Sequence, residues 1–336
     1  METATNPSRT LETEVRGMLA RGVALQLEGD LDGACREYEA AVTAHPQSAV
    51  AWNNLGFART QQGRLDEGLA CYERALQIEP SRSMAHANLA LTHVARGEIG
   101  RAVAGLQRAL ELDPRNMLAA ANLGRLLMAC GELHAAEQAF RRALQISPAD
   151  TALRLGLGMV LMARGRSREA ADELSRAVDL EPANAQAWDQ LGLALLMSHD
   201  FGSACDSLRQ ALSIAPENCA ARHHLATAML ARGDRVSAEQ ELMRILTIDP
   251  QHPDALTDLA VLALTKGDPA AAIDFTGRVP ESRWTSRTQY YRAVACDGCQ
   301  RPEEALALYR SLASRSEDRY AELARERLSA RHEAEG

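Results

Sequence analysis

The amino-acid sequence predicts an all-α fold, a solenoid of antiparallel helix pairs stacked one after another. Three observations predict it. Proline recurs every 34 residues, at Pro46, Pro80, Pro114, Pro148, Pro182, Pro216 and Pro250. Glycine recurs at the same step, at Gly29, Gly63, Gly97, Gly131, Gly165, Gly233 and Gly267. Between these stops, apolar residues fall three and four apart, which is the helical period. Glycine accepts the left-handed conformation that closes a first helix. Proline lacks the N–H needed to continue a second one. A fixed period of this length marks an architecture in which each unit buries its apolar face only against its neighbours.

Composition agrees. The 336 residues include only 4% aromatics and are dominated by helix formers such as Ala, Leu, Arg and Glu. The formal net charge is −8, with no basic stripe, so a nucleic-acid partner is not expected. Lys266 is the only lysine, beside Gly267 in an expected turn, which leaves little room for lysine-based covalent chemistry. No apolar run approaches the roughly 18–20 residues of a membrane span, so no membrane insertion is expected. Met1 to Arg21 carries charges throughout and no signal-like apolar segment. The seven cysteines sit at irregular positions, and a cytoplasmic protein with reduced thiols is expected.

The elements follow in order. Residues 1–14 show no pattern and are expected to be disordered. Residues 15–252 form seven regular repeats, numbered here from position 1 at Val15 to position 34. Small residues recur at position 8 as Gly22, Gly56, Gly124, Gly158 and Gly192, with alanine at Ala90, Ala226 and Ala260. Ala34, Ala102, Ala136, Ala170, Ala204, Ala238 and Ala272 recur at position 20. Both series let paired helices approach closely. Residues 253–315 hold two degenerate repeats, the first cut short at Pro280 and the second keeping only Ala305, Tyr309 and Leu312. In 316–336 a capping helix and tail are expected, with Tyr320, Leu323, Ala324 and Leu328 on one face.

Trp52, Leu55, Gly56, Gly68, Tyr72, Ala75 and Pro80 resemble the tetratricopeptide pattern, and Trp188, Leu191, Gly192, Ala204, Leu208, Ala211 and Pro216 repeat it. The resemblance implies a right-handed superhelical solenoid whose first helices line a concave groove. Positions 2, 5, 6, 9, 12 and 13 would face that groove, and an extended protein segment would be held there. Position 6 reads Asn54, Asn88, Asn122, Gly156, Gln190, His224 and Asp258. The three asparagines are similar to the asparagine ladder in the repeat domain of O-linked GlcNAc transferases, where amides hold a peptide main chain. An amide offers donors and an acceptor and so mirrors a peptide group. The same amide can instead satisfy groups of a neighbouring helix, and both readings stand. Gln190 and His224 could extend the ladder, while Gly156 breaks it. Position 9 supplies Phe57, Leu91, Arg125 and Met159 as side-chain contacts. Position 12, with Met128 and Met162, either joins that floor or packs between helices. The chaperone-type carboxylate clamp is not expected, because positions 5 and 9 read Leu19 and Val23, then Asn53 and Phe57.

Other chemistry finds little support. Cys296 and Cys299 form a lone CxxC that could be redox-active or half a zinc site, but no second pair lies nearby. His223 and His224 are adjacent and point about 100° apart on a helix, so they cannot share one metal unaided. No catalytic constellation, metal or cofactor is expected. The expected function is a non-catalytic protein-binding scaffold. The alternative is a self-assembling homo-oligomer, for which Tyr290, Tyr291, Tyr309, Tyr320 and Trp284 could be either docking patch or core.

Overall fold

The computed structural model describes residues 7–315 and 318–335, with side chains described over 13–314 and 318–331. Among them the chain forms nineteen α-helices and one 3-10 turn, and no strand. It divides into two compact units that meet in sequence at Arg166 and Ser167. The first unit holds α1 (Pro7–Leu27), α2 (Leu31–Ala44), α3 (Ala49–Gln61), α4 (Leu65–Ile78), α5 (Ser83–Ala95), α6 (Ile99–Leu112), α7 (Met117–Ala129), α8 (Leu133–Ile146) and α9 (Thr151–Ala163). The second holds α10 (Ser167–Leu180), α11 (Ala185–Met197), α12 (Phe201–Ile214), α13 (Cys219–Ala231), α14 (Arg235–Ile248), α15 (Pro253–Thr265), α16 (Pro269–Gly277), α17 (Ser286–Gly298), α18 (Pro302–Arg315) and α19 (Arg319–Glu335). Helix α1 starts at Pro7, so the expectation of disorder over 1–14 does not hold for residues 7–14; residues 1–6 lie outside the described ones.

Each repeat is a pair of helices closed by the devices its spacing encodes. The position-15 glycines take φ between 74° and 86°. Where two repeats lack that glycine, His199 and Gln300 adopt the same left-handed conformation, at 66° and 58°. Position 34 starts the next first helix. Ser48, Asn116, Asp150, Asn184 and Asn218 each accept the N–H three residues on, satisfying one of the orphan donors of a helix start. Position 4 then ties the first helix to the preceding turn. The indoles of Trp52 and Trp188 donate to the carbonyls of Pro46 and Pro182, both at 2.9 Å, and Arg222 reaches Pro216 in the same way at 2.6 Å. In these repeats one polar side chain anchors the turn that proline begins.

The core runs between the paired helices. Ala34, Ala102, Ala136, Ala204 and Ala238 at position 20 are fully buried. Position 8 is small because position 24 is large. A Cβ on Gly124 would stand 2.5 Å from the Phe140 ring, and one on Gly56 would stand 2.8 Å from Tyr72. Tyr38, Tyr72, Phe140 and Leu208 fill that space in the first, second, fourth and sixth repeats and are buried.

The degenerate repeats keep the scheme with changes. Helix α16 has nine residues where other second helices have 14, and a 3-10 turn at Glu281–Arg283 follows it. Trp284 caps this shortened pair, its indole donating to the carbonyl of Val279 at 2.9 Å. In α17–α19 the buried Tyr290, Ala293, Ala305, Tyr309, Leu312, Ala321 and Ala324 form one cluster, with Tyr320, Leu323 and Leu328 packed against it. The C-terminal tyrosines are thus mainly core, and α19 lays its apolar face on the last repeat.

Candidate partner-binding face

A first helix presents its outer stripe through positions 2, 6, 9 and 13, which recur at the helical spacing. Burial divides these positions sharply in the first unit. At position 2, Arg16, Val50, Met84, Leu118 and Ala152 are all exposed. At position 9, Val23, Phe57 and Arg125 are exposed, and Leu91 and Met159 are half-buried. At position 13, Leu27, Gln61, Ala95, Ala129 and Ala163 are exposed. Position 5 is closed or nearly so, with Asn53, Ala87 and Leu155 buried. Position 12 packs inward, Met162 being buried and Met128 half-buried. The exposed stripe of the first unit is therefore apolar, with Val50, Phe57, Met84 and Leu118 each 37–45% exposed. Position 2 is the part of this stripe that the sequence did not single out. Its signal was an apolar residue at the start of three successive first helices, where a core pattern needs none.

The asparagines do not act as a uniform ladder. Asn88 is 6% exposed, and its Nδ2 donates to Oδ1 of buried Asn53 at 3.1 Å. The Asn53 amide passes on to Asn54 Oδ1 at 3.4 Å. Asn88 is a bridge between α5 and α3, with its amide spent on the protein. Asn122 stays half-buried: its Nδ2 donates to the Leu118 carbonyl at 2.7 Å, and its Oδ1 accepts from Arg125 at 3.0 Å. The difference lies one repeat back, at position 5. Asn53 offers Asn88 a polar partner, whereas Ala87 offers Asn122 none. Gly156 is forced by packing, because a Cβ there would stand 2.5 Å from the Phe140 ring.

In the second unit the same geometric link is ionisable. His224 Nδ1 meets Asp189 Oδ1 at 2.8 Å, and His223 Nε2 meets Asp258 Oδ2 at 2.7 Å. Each link joins position 5 of one repeat to position 6 of the next, 35 residues apart, as Asn53 and Asn88 do. Asp258 also takes an ion pair from Arg287 of α17. Burial of Asp258 pushes its pKa up, but the bond from His223 and the Arg287 charge outweigh it and hold the carboxyl below its ordinary value. His252 caps α15 by accepting the Ala255 N–H. Burial and the nearby His223 keep its pKa below the ordinary histidine value. The second unit's stripe is more polar at some of these positions: Gln186 and Asp254 at position 2 and Thr227 at position 9 stand where the first unit has mainly apolar residues. Gln190 is half-buried.

The remaining candidates carry less. Cys296 is buried, and burial, then Glu304, push its thiol up to about 11, which disfavours the thiolate. Cys299 is half-buried. Among the described residues no group of three or more His, Cys, Asp or Glu is placed to hold a metal ion. No helix among them is long and apolar enough to cross a membrane.

Comparison with known proteins agrees with this geometry. Four family models, each described as tetratricopeptide repeat, match residues 15–40, 49–82, 88–151, and both 131–192 and 195–248. No curated protein matches the chain. Among solved structures, the C-terminal part of a TPR repeat-containing protein from Cytophaga hutchinsonii is 15% identical, covering 70% of this chain and 97% of that one, with a TM-score of 0.57. PilF of Pseudomonas aeruginosa is 20% identical, covering 62% and 94%, with a TM-score of 0.53. A tetratricopeptide repeat protein from Parabacteroides merdae is 19% identical, covering 70% and 93%, with a TM-score of 0.51. At these identities the likeness is one of fold. With the 34-residue period, the position-8 to position-24 packing and these matches in hand, the chain belongs to the tetratricopeptide repeat family.

Proposed function

We propose that the protein is a non-catalytic binding scaffold that holds an extended segment of a partner protein on the first-helix face of its first unit. The observation that supports this reading most directly is the open stripe. Val50, Phe57, Met84 and Leu118 are large, apolar and exposed in consecutive repeats. Contiguous exposed apolar surface of this kind is a mark of interaction sites. The half-buried Asn54 flanks the stripe and would bond the segment's main chain, whereas the Asn122 amide already meets Leu118 and Arg125. Asn88 takes a different part, bracing α5 against α3 so that the rungs keep their spacing.

A random-peptide display library selected on the full chain tests the reading. Peptides should be enriched, and their binding should fall when Phe57 and Met84 are together replaced by serine, with the helical content and melting temperature retained. Failure to enrich any peptide would overturn the proposal. So would peptides that bind wild type and variant equally, because they would occupy another surface. Sedimentation of the free chain, run alongside, separates the self-assembly alternative, which needs concentration-dependent oligomers.

A further inference from the structure

Position 4 of the fourth repeat breaks a rule that the other repeats keep. Of the prolines that follow the second helices, Pro46, Pro182 and Pro216 have carbonyls that accept from Trp52, Trp188 and Arg222. Pro80 and Pro148 are met from the same position by His86 and Arg154, and Pro250 is met by Arg278. Pro114 is the exception. The position-4 residue after it is Ala120, which brings no polar group. Among the described residues the Pro114 carbonyl accepts no hydrogen bond.

The short side chain leaves a cleft of about 630 Å³ between α6, α7 and α8, with Pro114 and Ala120 in its wall. Small-molecule sites span roughly 300–1,000 Å³. Leu110, Leu123, Leu127 and Ile146 give the cleft an apolar lining. Ala139 of α8 also lines it, at position 23, where the first, fifth and seventh repeats carry Glu37, Glu173 and Glu241. Two charged side chains stand at the rim. Glu111 is already paired with Arg108 at 2.8 Å. Arg142 is exposed and makes no hydrogen bond or ion pair among the described residues. The second repeat shows what such walls accept. There Trp52 and Ile78 pack against buried Ala75 while the indole donates to Pro46. The counterparts of Ala75 and Ile78, two repeats on, are Ala143 and Ile146, and both line the cleft. The fourth repeat thus keeps the walls and the acceptor of a position-4 ring without carrying the ring.

We propose that this cleft binds a small aromatic acid whose ring carries an N–H, of the indole carboxylate type. The ring lies against Leu123, Leu127 and Ile146, in the place that a position-4 side chain takes in other repeats. Its N–H donates to the Pro114 carbonyl, and its carboxylate pairs with Arg142. None of these residues belongs to the exposed stripe of first helices, so the inference stands apart from the proposed function.

Isothermal titration calorimetry of the full chain with indolepropionate tests this, beside its N-methyl derivative, which lacks the donor, and its amide, which lacks the charge. The parent acid should bind in a one-to-one complex. The N-methyl acid should bind about tenfold more weakly, the contribution of one hydrogen bond. Arg142→Gln should weaken the acid by about threefold, the usual effect of an exposed ion pair, and leave the amide unchanged. Ala120→Trp should supply the ring from the chain itself, abolish binding and raise the melting temperature. Ala139→Glu, a residue that other repeats hold at this position, should abolish binding with helical content retained, and it tests the cleft even if the larger tryptophan is not accommodated. No saturable binding of the acid up to about 1 mM would overturn the proposal. Binding that survives Ala139→Glu, or equal binding of the parent and N-methyl acids, would do the same. A tryptophan-bearing peptide that binds where the free acid does not would overturn the small-molecule assignment and move the ring to a partner protein.

Discussion

His199 holds, at φ 66°, the backbone position that seven other repeats give to glycine. A left-handed residue with a Cβ costs about 1–2 kcal/mol, and glycine gives part of that back through its freer unfolded chain. His199→Gly should therefore stabilise the protein by about 0.5–1 kcal/mol in urea denaturation. A midpoint that falls instead would mean the edge contact with Phe201, at 5.7 Å between ring centroids, outweighs the strain. Asp258 makes the opposite case, a residue whose environment favours its charge. Its folded pKa lies below the unfolded value of about 3.9. The unfolded chain thus binds the proton first as pH falls, so the stabilisation is fully present above about pH 5 and is lost as pH drops through the folded pKa. Asp258→Asn should cost on the order of 2 kcal/mol at neutral pH, since it weakens the bonds to both His223 and Arg287. Urea curves taken from pH 7 to pH 3 should show the wild type and variant converging. A constant gap across that range would remove the charge from the explanation.

Between elements, the spacing told which helices pair, but not which side chains join one repeat to the next. Position 6 looked like a single class of residue along the sequence. Its members part company because their surroundings lie one repeat back, at position 5, where Asn53, Asp189 and His223 supply polar partners and Ala87 does not. A reading of one column at a time misses a link that is 35 residues long. Gly156 has the same kind of cause. The sequence shows only an interruption of the asparagines, whereas the fold shows Phe140 of α8 filling the place of its Cβ. Gly156→Ala should cost about 1–3 kcal/mol by overpacking. Phe140→Leu in the same chain should recover part of that loss, because the shorter side chain leaves room. Thermal melts of the two single variants and the double variant give the coupling. Simple addition of the two losses would show that the ring and the glycine do not meet.

At the scale of the whole molecule, the repeat period fixed the all-α class and the seven regular pairs, because each regular pair reuses the same turn, cap and close-contact residues. It was least informative after Pro250, where α16 is shortened and aromatics replace the small-residue pattern. There the fold depends on which surfaces lie together, and the four tyrosines, read first as core, were still open to being a docking patch. Their packing decides for core. Tyr290 and Tyr309 are 8% and 1% exposed, and Tyr320 reaches Tyr290 at 5.8 Å between centroids. A stack that buries surface only through its neighbours must end on an element with one polar side. Helix α19 is that element, since Ala321 and Ala324 are fully buried while Arg325, Glu326 and Arg327 face solvent. A chain ending at residue 317 would expose the aromatic cluster of α17 and α18 and leave their apolar faces without a cover. Each large side chain returned to water costs roughly 1.5–3 kcal/mol, so the loss should reach several kcal/mol. Hydrogen exchange should locate it: amides of α17 and α18 lose protection first, while those of α3 to α7 in the first unit keep theirs, because stability in a repeat array is set by neighbours. A uniform loss along the chain would mean that the array melts as one cooperative body. Unchanged protection of α17 and α18 would mean that α19 is no cap at all.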